Sequence, residues 1–187
     1  MSRRRLLRVL PVLMLAVGLV VTLSASAGAQ VLPKGYHFDR LAQFASGRTA
    51  NAEAWVDFDN VAGTVRANSD YWAIGLSGTA VPIRVTITNF KLIGYRCAGN
   101  QCNPAVTYTK CQTGCTFTST SSNPVVPLSG VWHNAYRDNQ GNIHGWRTRA
   151  EDVDLVILNT ANDSTSNKCV SSYLWRFDTS SNLAPSC

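Results

Sequence analysis

Between Glu53 and Asp59 the chain alternates, with Ala54, Val56 and Phe58 apolar and Trp55, Asp57 and Asp59 between them. A period of two marks a half-buried strand. Residues 60–63 carry turn chemistry, residues 64–67 read as the returning strand, and residues 71–76 as a short strand apolar on both faces. Across residues 81–96 the apolar positions run Val81, Ile83, Val85, Ile87 and then slip by one to Phe90 and Leu92. Such a slip exchanges the two faces of a strand and predicts a bulge or break near Asn89.

Residues 105–109 and 115–118 read as strands. Residues 119–130 read as a Ser/Pro loop, in which Pro124 and Pro127 oppose regular pairing. Residues 131–137 and 143–149 flank Asp138, Asn139, Gln140, Gly141 and Asn142, which predicts a hairpin. Residues 153–158 read as a core strand, 159–167 as a polar loop and 170–177 as a last strand. The one helical stripe is Leu41, Ala42 and Ala45 within residues 38–45, with Asp39 as N-cap and Gly47 as stop, after an extended lead-in over residues 30–37. The expected fold is all-β: one antiparallel β-sandwich or β-barrel of about eight to ten short strands with at most one short N-terminal helix.

The N-terminus has a different pattern. Arg3, Arg4, Arg5 and Arg8 precede an apolar run from Leu10 to Leu23, and Ala27-Gly28-Ala29 follows. A cationic head, a short apolar core and an A-x-A site predict a removable signal peptide over residues 1–29, compatible with twin-arginine export. The domain expected after cleavage is residues 30–187, with no transmembrane segment. Without the four leader arginines, 13 basic residues stand against 11 acidic ones. The basic balance of the whole chain therefore belongs to the leader, and the scattered Lys and Arg argue against nucleic-acid binding.

All six cysteines fall in the exported part: Cys97, Cys102, Cys111, Cys115, Cys169 and Cys187. An even number in an exported chain predicts three disulfides. Proximity favours pairing Cys97 with Cys102, Cys111 with Cys115 and Cys169 with Cys187. The crossed set, Cys97 with Cys111 and Cys102 with Cys115, is its rival. A zinc site on the first four is the alternative, disfavoured because exported thiols oxidise.

Candidate chemistry centres on the expected 131–149 hairpin. With even register, Trp132, Asn134 and Tyr136 would share a face with His144, Trp146 and Thr148. Rings with polar tips suit sugars, whose C–H faces lie flat on aromatic surfaces while hydroxyls reach amides. The competing reading is that the tryptophans fill the core. His133, His144 and Asp138 form a weak metal constellation, since no helical His pair or third nearby His supports it. Asp57/Asp59 and Asp152/Asp154, beside Glu53 and Glu151, offer paired carboxylates for glycoside cleavage or Ca²⁺, or simply a solvated strand face. The nucleophile elbow, zinc-protease helix, phosphate loop and dinucleotide fingerprint are all missing, so no cofactor is expected. The leading expectation is a secreted binding module for a carbohydrate or cell-wall polymer. The alternatives are an extracellular hydrolase or cyclase-type barrel using an Asp or His as its acid–base group, and a protein-binding inhibitor, toxin or envelope component.

Overall fold

The computed structural model describes residues 30–138, 141–158 and 163–187. The expected signal peptide and the first part of the 159–167 loop lie outside the described residues. The chain runs through β1 (Val31–Gln43), β2 (Thr49–Asp59) and β3 (Thr64–Ile74), an antiparallel meander joined on its far edge by β4 (Ala80–Val81). It then crosses to a second sheet with β5 (Ile83–Ile87), β6 (Asn89–Ala98), β7 (Gln101–Lys110) and β8 (Cys115–Thr118). β9 (Val126–Ser129) and β10 (His133–Asn134) return to β3, and β11 (Arg137–Asp138) with β12 (Gly141–Asn142) makes a small ladder. β13 (Gly145–Ile157) is the spine of the second sheet, with β14 (Lys168–Ser171) and β15 (Trp175–Arg176) along its other side. The fold is all-β and antiparallel, with two curled sheets facing one another across a common core.

The expected helix over residues 38–45 is not formed; that segment belongs to β1 and to the turn that follows it. An isolated stretch of eight residues is marginal as a helix. Here β1 instead gains a full ladder against β2, Leu41 reaches the core, and Asp39 bonds His37 rather than capping. Two other boundaries also move. Residues 64–67 and 71–76 belong largely to one strand, β3, and Pro127 sits within β9, an edge strand where its missing N–H is tolerated.

The phase slip near Asn89 is present, and β13 answers it. Glu151 pairs with Asn89 and Asp154 with Thr86, so the register is unchanged across the break. Ala150 and Phe90 face the core before it, and Val153 and Ile87 after it. Both strands turn over together, with Asp152 at φ 48°. The second sheet thereby bends without losing its buried face.

Between the sheets the inner residues of β2 are Ala50, Ala52, Ala54, Val56 and Phe58. Small side chains let the backbones approach, and Thr148 of β13 bridges the gap: its hydroxyl donates to the Trp55 carbonyl and accepts from the Asn68 amide. Trp146, fully buried, fills the volume beside Gly94, where a Cβ would lie 2.8 Å from the indole. The disulfides are Cys97–Cys102, Cys111–Cys115 and Cys169–Cys187, and no described cysteine is free. This set suits an oxidising compartment. The last one ties the C-terminus to β14, and Arg147 reinforces it by donating to the Ala184 carbonyl.

Replacing Thr148 by Val removes a hydroxyl shared by two buried backbone groups and should cost about 1–3 kcal/mol in urea denaturation. Thr86→Val, whose hydroxyl meets only the surface hydroxyl of Thr116, should stay within about 0.5 kcal/mol of the parent.

Candidate functional site

The segments of the expected 131–149 hairpin do not pair with each other. His133 and Asn134 pair with Val65 and Thr64 of β3, while Gly145 onward belongs to the second sheet. The turn chemistry is satisfied locally, by Arg137 pairing with Asn142 and Asp138 with Gly141, and the chain then parts to serve two sheets. The side chains therefore separate. Trp146 is core, its indole N–H donating to the Ala135 carbonyl at 2.6 Å. Asn134 caps the next turn by accepting from the Tyr136 and Arg137 amides. Tyr136 and His144 line an open recess of about 390 Å³ with Arg137, Phe177 and Asp178. His144 Nδ1 accepts from the Cys97 amide at 2.8 Å, so its other nitrogen carries the proton. His133 lies elsewhere, stacked on Tyr108 at 3.5 Å with its pKa lowered by burial. Trp132 covers the guanidinium of Arg66 at 4.6 Å, at the rim of the outer face of the first sheet.

That outer face gathers aromatic, acidic and amide side chains of β2 and β3. Because the inner residues of β2 are at even positions and those of β3 at odd ones, Asn51, Glu53, Trp55 and Asp57 project outward beside Arg66, Asn68, Asp70 and Trp72. The register sets them in cross-strand rows. Phe38, Glu53 and Asp70 form one row; Trp55 and Asn68 form the next, and Arg40, Asn51 and Trp72 the one on the opposite side.

β1 reaches this face through a bulge at Gly35. Lys34 pairs with Val56 and His37 with Ala54, a one-residue shift. Gly35 has φ 60°, and a Cβ there would lie 2.5 Å from the Tyr173 carbonyl oxygen. The bulge reverses the phase of β1, so that Tyr36 and Phe38 turn outward, at 53% and 45% exposure. Tyr36 then lies 6.4 Å from Trp55, and Phe38 lies 5.8 Å from Trp72.

One end of the face is rigidly partnered. Asp57 accepts from the Trp55 indole at 2.8 Å and from Arg66 through Nε and Nη2 at 3.0 and 2.9 Å. Asp59 accepts from the Val61 and Ala62 amides and builds the turn. The Asp57/Asp59 pair noted in the sequence is thus held by structural bonds. Asp154 likewise accepts from the Asn167 amide.

Glu53 and Asp70 differ. They sit directly opposite one another, half-buried among the rings, and among the described residues neither has an ion-pair partner. The Tyr36 hydroxyl donates to Glu53 Oε2. Burial raises both carboxyl pKa values, and the Asp70 charge raises that of Glu53 further. Beside them, Asn68 is 3% exposed. Its Oδ1 accepts from Ser129, and its Nδ2 has no partner.

Such a face can stack flat apolar surfaces and offer carboxylate acceptors and an amide donor between them. No protein-family model, curated protein or solved structure matches this chain.

A carboxyl whose pKa is raised on folding binds its proton more tightly in the folded state. Its effect on stability improves as pH falls through the folded pKa and worsens as pH rises. The double variant Glu53→Gln, Asp70→Asn should therefore be more stable than the parent at neutral pH, with the gap narrowing on acidification, as read by urea denaturation at several pH values.

Proposed function

We propose that this chain is an extracellular binding module for a glycan, which lies across the outer face of the first sheet. The observation that carries the reading is the inverted distribution of side-chain size on β2 and β3. Alanines fill much of the inner face, while Trp55 and Trp72, with Tyr36 and Phe38 beside them, stand on the outer one. Large rings left outside a core they could have filled suit recognition better than stability.

The spacing also fits a chain-like ligand. Trp55 lies opposite Asn68, and Trp72 is four residues further along β3. At about 3.4 Å per residue their backbone positions are roughly 14 Å apart along the strands, a length that takes in neighbouring sugar units of one oligomer. Pyranose C–H faces would lie on the rings, and their hydroxyls would donate to Glu53 and Asp70. The leader-like N-terminus and the disulfides support a setting outside the cytoplasm, where cell-wall and matrix glycans are found.

The test is retention of the exported protein on insoluble polysaccharides of neutral, cationic and anionic type. Trp55→Ala and Trp72→Ala should each weaken binding by roughly 2 kcal/mol, about thirtyfold, while remaining folded. Absence of retention by the parent on every polysaccharide, or retention of both variants as strong as that of the parent, would overturn the reading.

A further inference from the structure

We infer that the glycan bound here carries free amino groups, and that the Glu53–Asp70 pair holds its ammonium groups between the aromatic side chains. This rests on the binding-module reading above and names the chemical class of its ligand.

Like charges directly opposite on neighbouring strands destabilise a sheet. The usual remedy is a basic residue in the same row or the next, and among the described residues no basic side chain forms an ion pair with either acid. Arg66 is fixed by Asp57 under Trp132, and Arg40 bonds Gln43. Lys34 precedes the phase reversal and reaches over Trp175 instead. The other groups around the pair are Tyr36, which donates to Glu53, and Phe38, Trp55 and Trp72, whose ring faces are electronegative.

Carboxylates also accept from neutral hydroxyls, so what a side-by-side pair adds is discrimination by charge: it favours a ligand with a positive group and repels a uronate or sulfated glycan. Ring faces beside carboxylates also make the surroundings that favour an ammonium ion.

Asn68 is the second, separate sign of a ligand. It projects from the same side of β3 as Asp70, opposite Trp55, and it is almost fully buried with its amide Nδ2 unbonded. A buried donor without a partner is costly. A ring or glycosidic oxygen of a sugar seated beside Trp55 would supply the acceptor that the protein does not, once the side chains covering the amide move aside. Together the site offers two acceptors for an ammonium, one donor for an ether oxygen, and rings for the sugar faces.

The deciding experiment is calorimetric titration of the exported protein with two tetramers of one backbone, β-1,4-linked glucosamine and its N-acetylated form, at low salt with a chelator present. The amino form should bind about tenfold more tightly, with the advantage shrinking as salt is added. Glu53→Gln combined with Asp70→Asn keeps the shape of both side chains. Whatever it does to the affinity for each, it should bring the two tetramers to within about threefold of one another. Equal or tighter binding of the acetylated tetramer overturns the inference. So does a preference that survives in the double variant, or binding that appears only when calcium replaces the chelator. If neutral polysaccharides are retained through Trp55 and Trp72 without any charge preference, this inference fails and the glycan-binding reading stands. If no polysaccharide is retained, both fail.

Discussion

Side chains on a strand must point alternately to one face and the other, and β2 and β3 spend that constraint in an uncommon way. Their inner positions are dominated by alanine and valine, so the first sheet sits close to β13, and the Thr148 hydroxyl can reach backbone groups of both β2 and β3. The core volume comes mostly from the second sheet: Trp146, Phe90, Ile83, Ile87 and Leu155 are all essentially buried. Apart from Phe58 and Tyr71, which turn inward, the large side chains of β2 and β3 stand on the outer face. The bulge at Gly35 then adds Tyr36 and Phe38 from β1 to that same face.

The chemistry of the face follows from what its backbone leaves uncompensated. Asp57, Arg66, Trp55 and Trp132 form a connected set in which the Asp57 carboxylate is met by the Trp55 indole and by Arg66, which packs under Trp132. One row away, Glu53 and Asp70 have each other and a phenol. Burial among the rings raises the free energy of both ionised forms, and the cross-strand geometry adds repulsion. A fold selected only for stability would place a hydrophobic or amide pair here. Keeping the acids costs some stability, the pattern expected where a site serves binding rather than the fold.

Much of this architecture was legible in the sequence, because disulfide proximity and period-two alternation are local signals. The three neighbour pairings, the all-β class and the phase slip near Asn89 all follow from residues close together in the chain. The helix expected over residues 38–45 was wrong because a weak local stripe lost to a long-range ladder with β2. The expected hairpin failed because its turn is real while its arms join different sheets, which no local pattern reveals. Glu53 and Asp70 were within reach. A four-residue turn after Asp59 pairs Asp59 with Thr64, and counting outward puts Glu53 opposite Asp70. The polar run Asn68, Ser69, Asp70 hid this by resembling a break in β3. The Tyr36 side chain could not be placed without knowing of the bulge at Gly35.

If the aromatic side chains outside the first sheet, and not those of the core, meet a glycan, the tryptophans will respond differently to it. Indole N–H resonances report each tryptophan separately. On titration with a glucosamine oligomer, the signals of Trp55 and Trp72 should move with a common saturation curve, while that of Trp146, buried and bonded to the Ala135 carbonyl, stays fixed. Saturable shifts confined to Trp146 or Trp175, with Trp55 and Trp72 unmoved, would place the ligand away from the outer face of the first sheet.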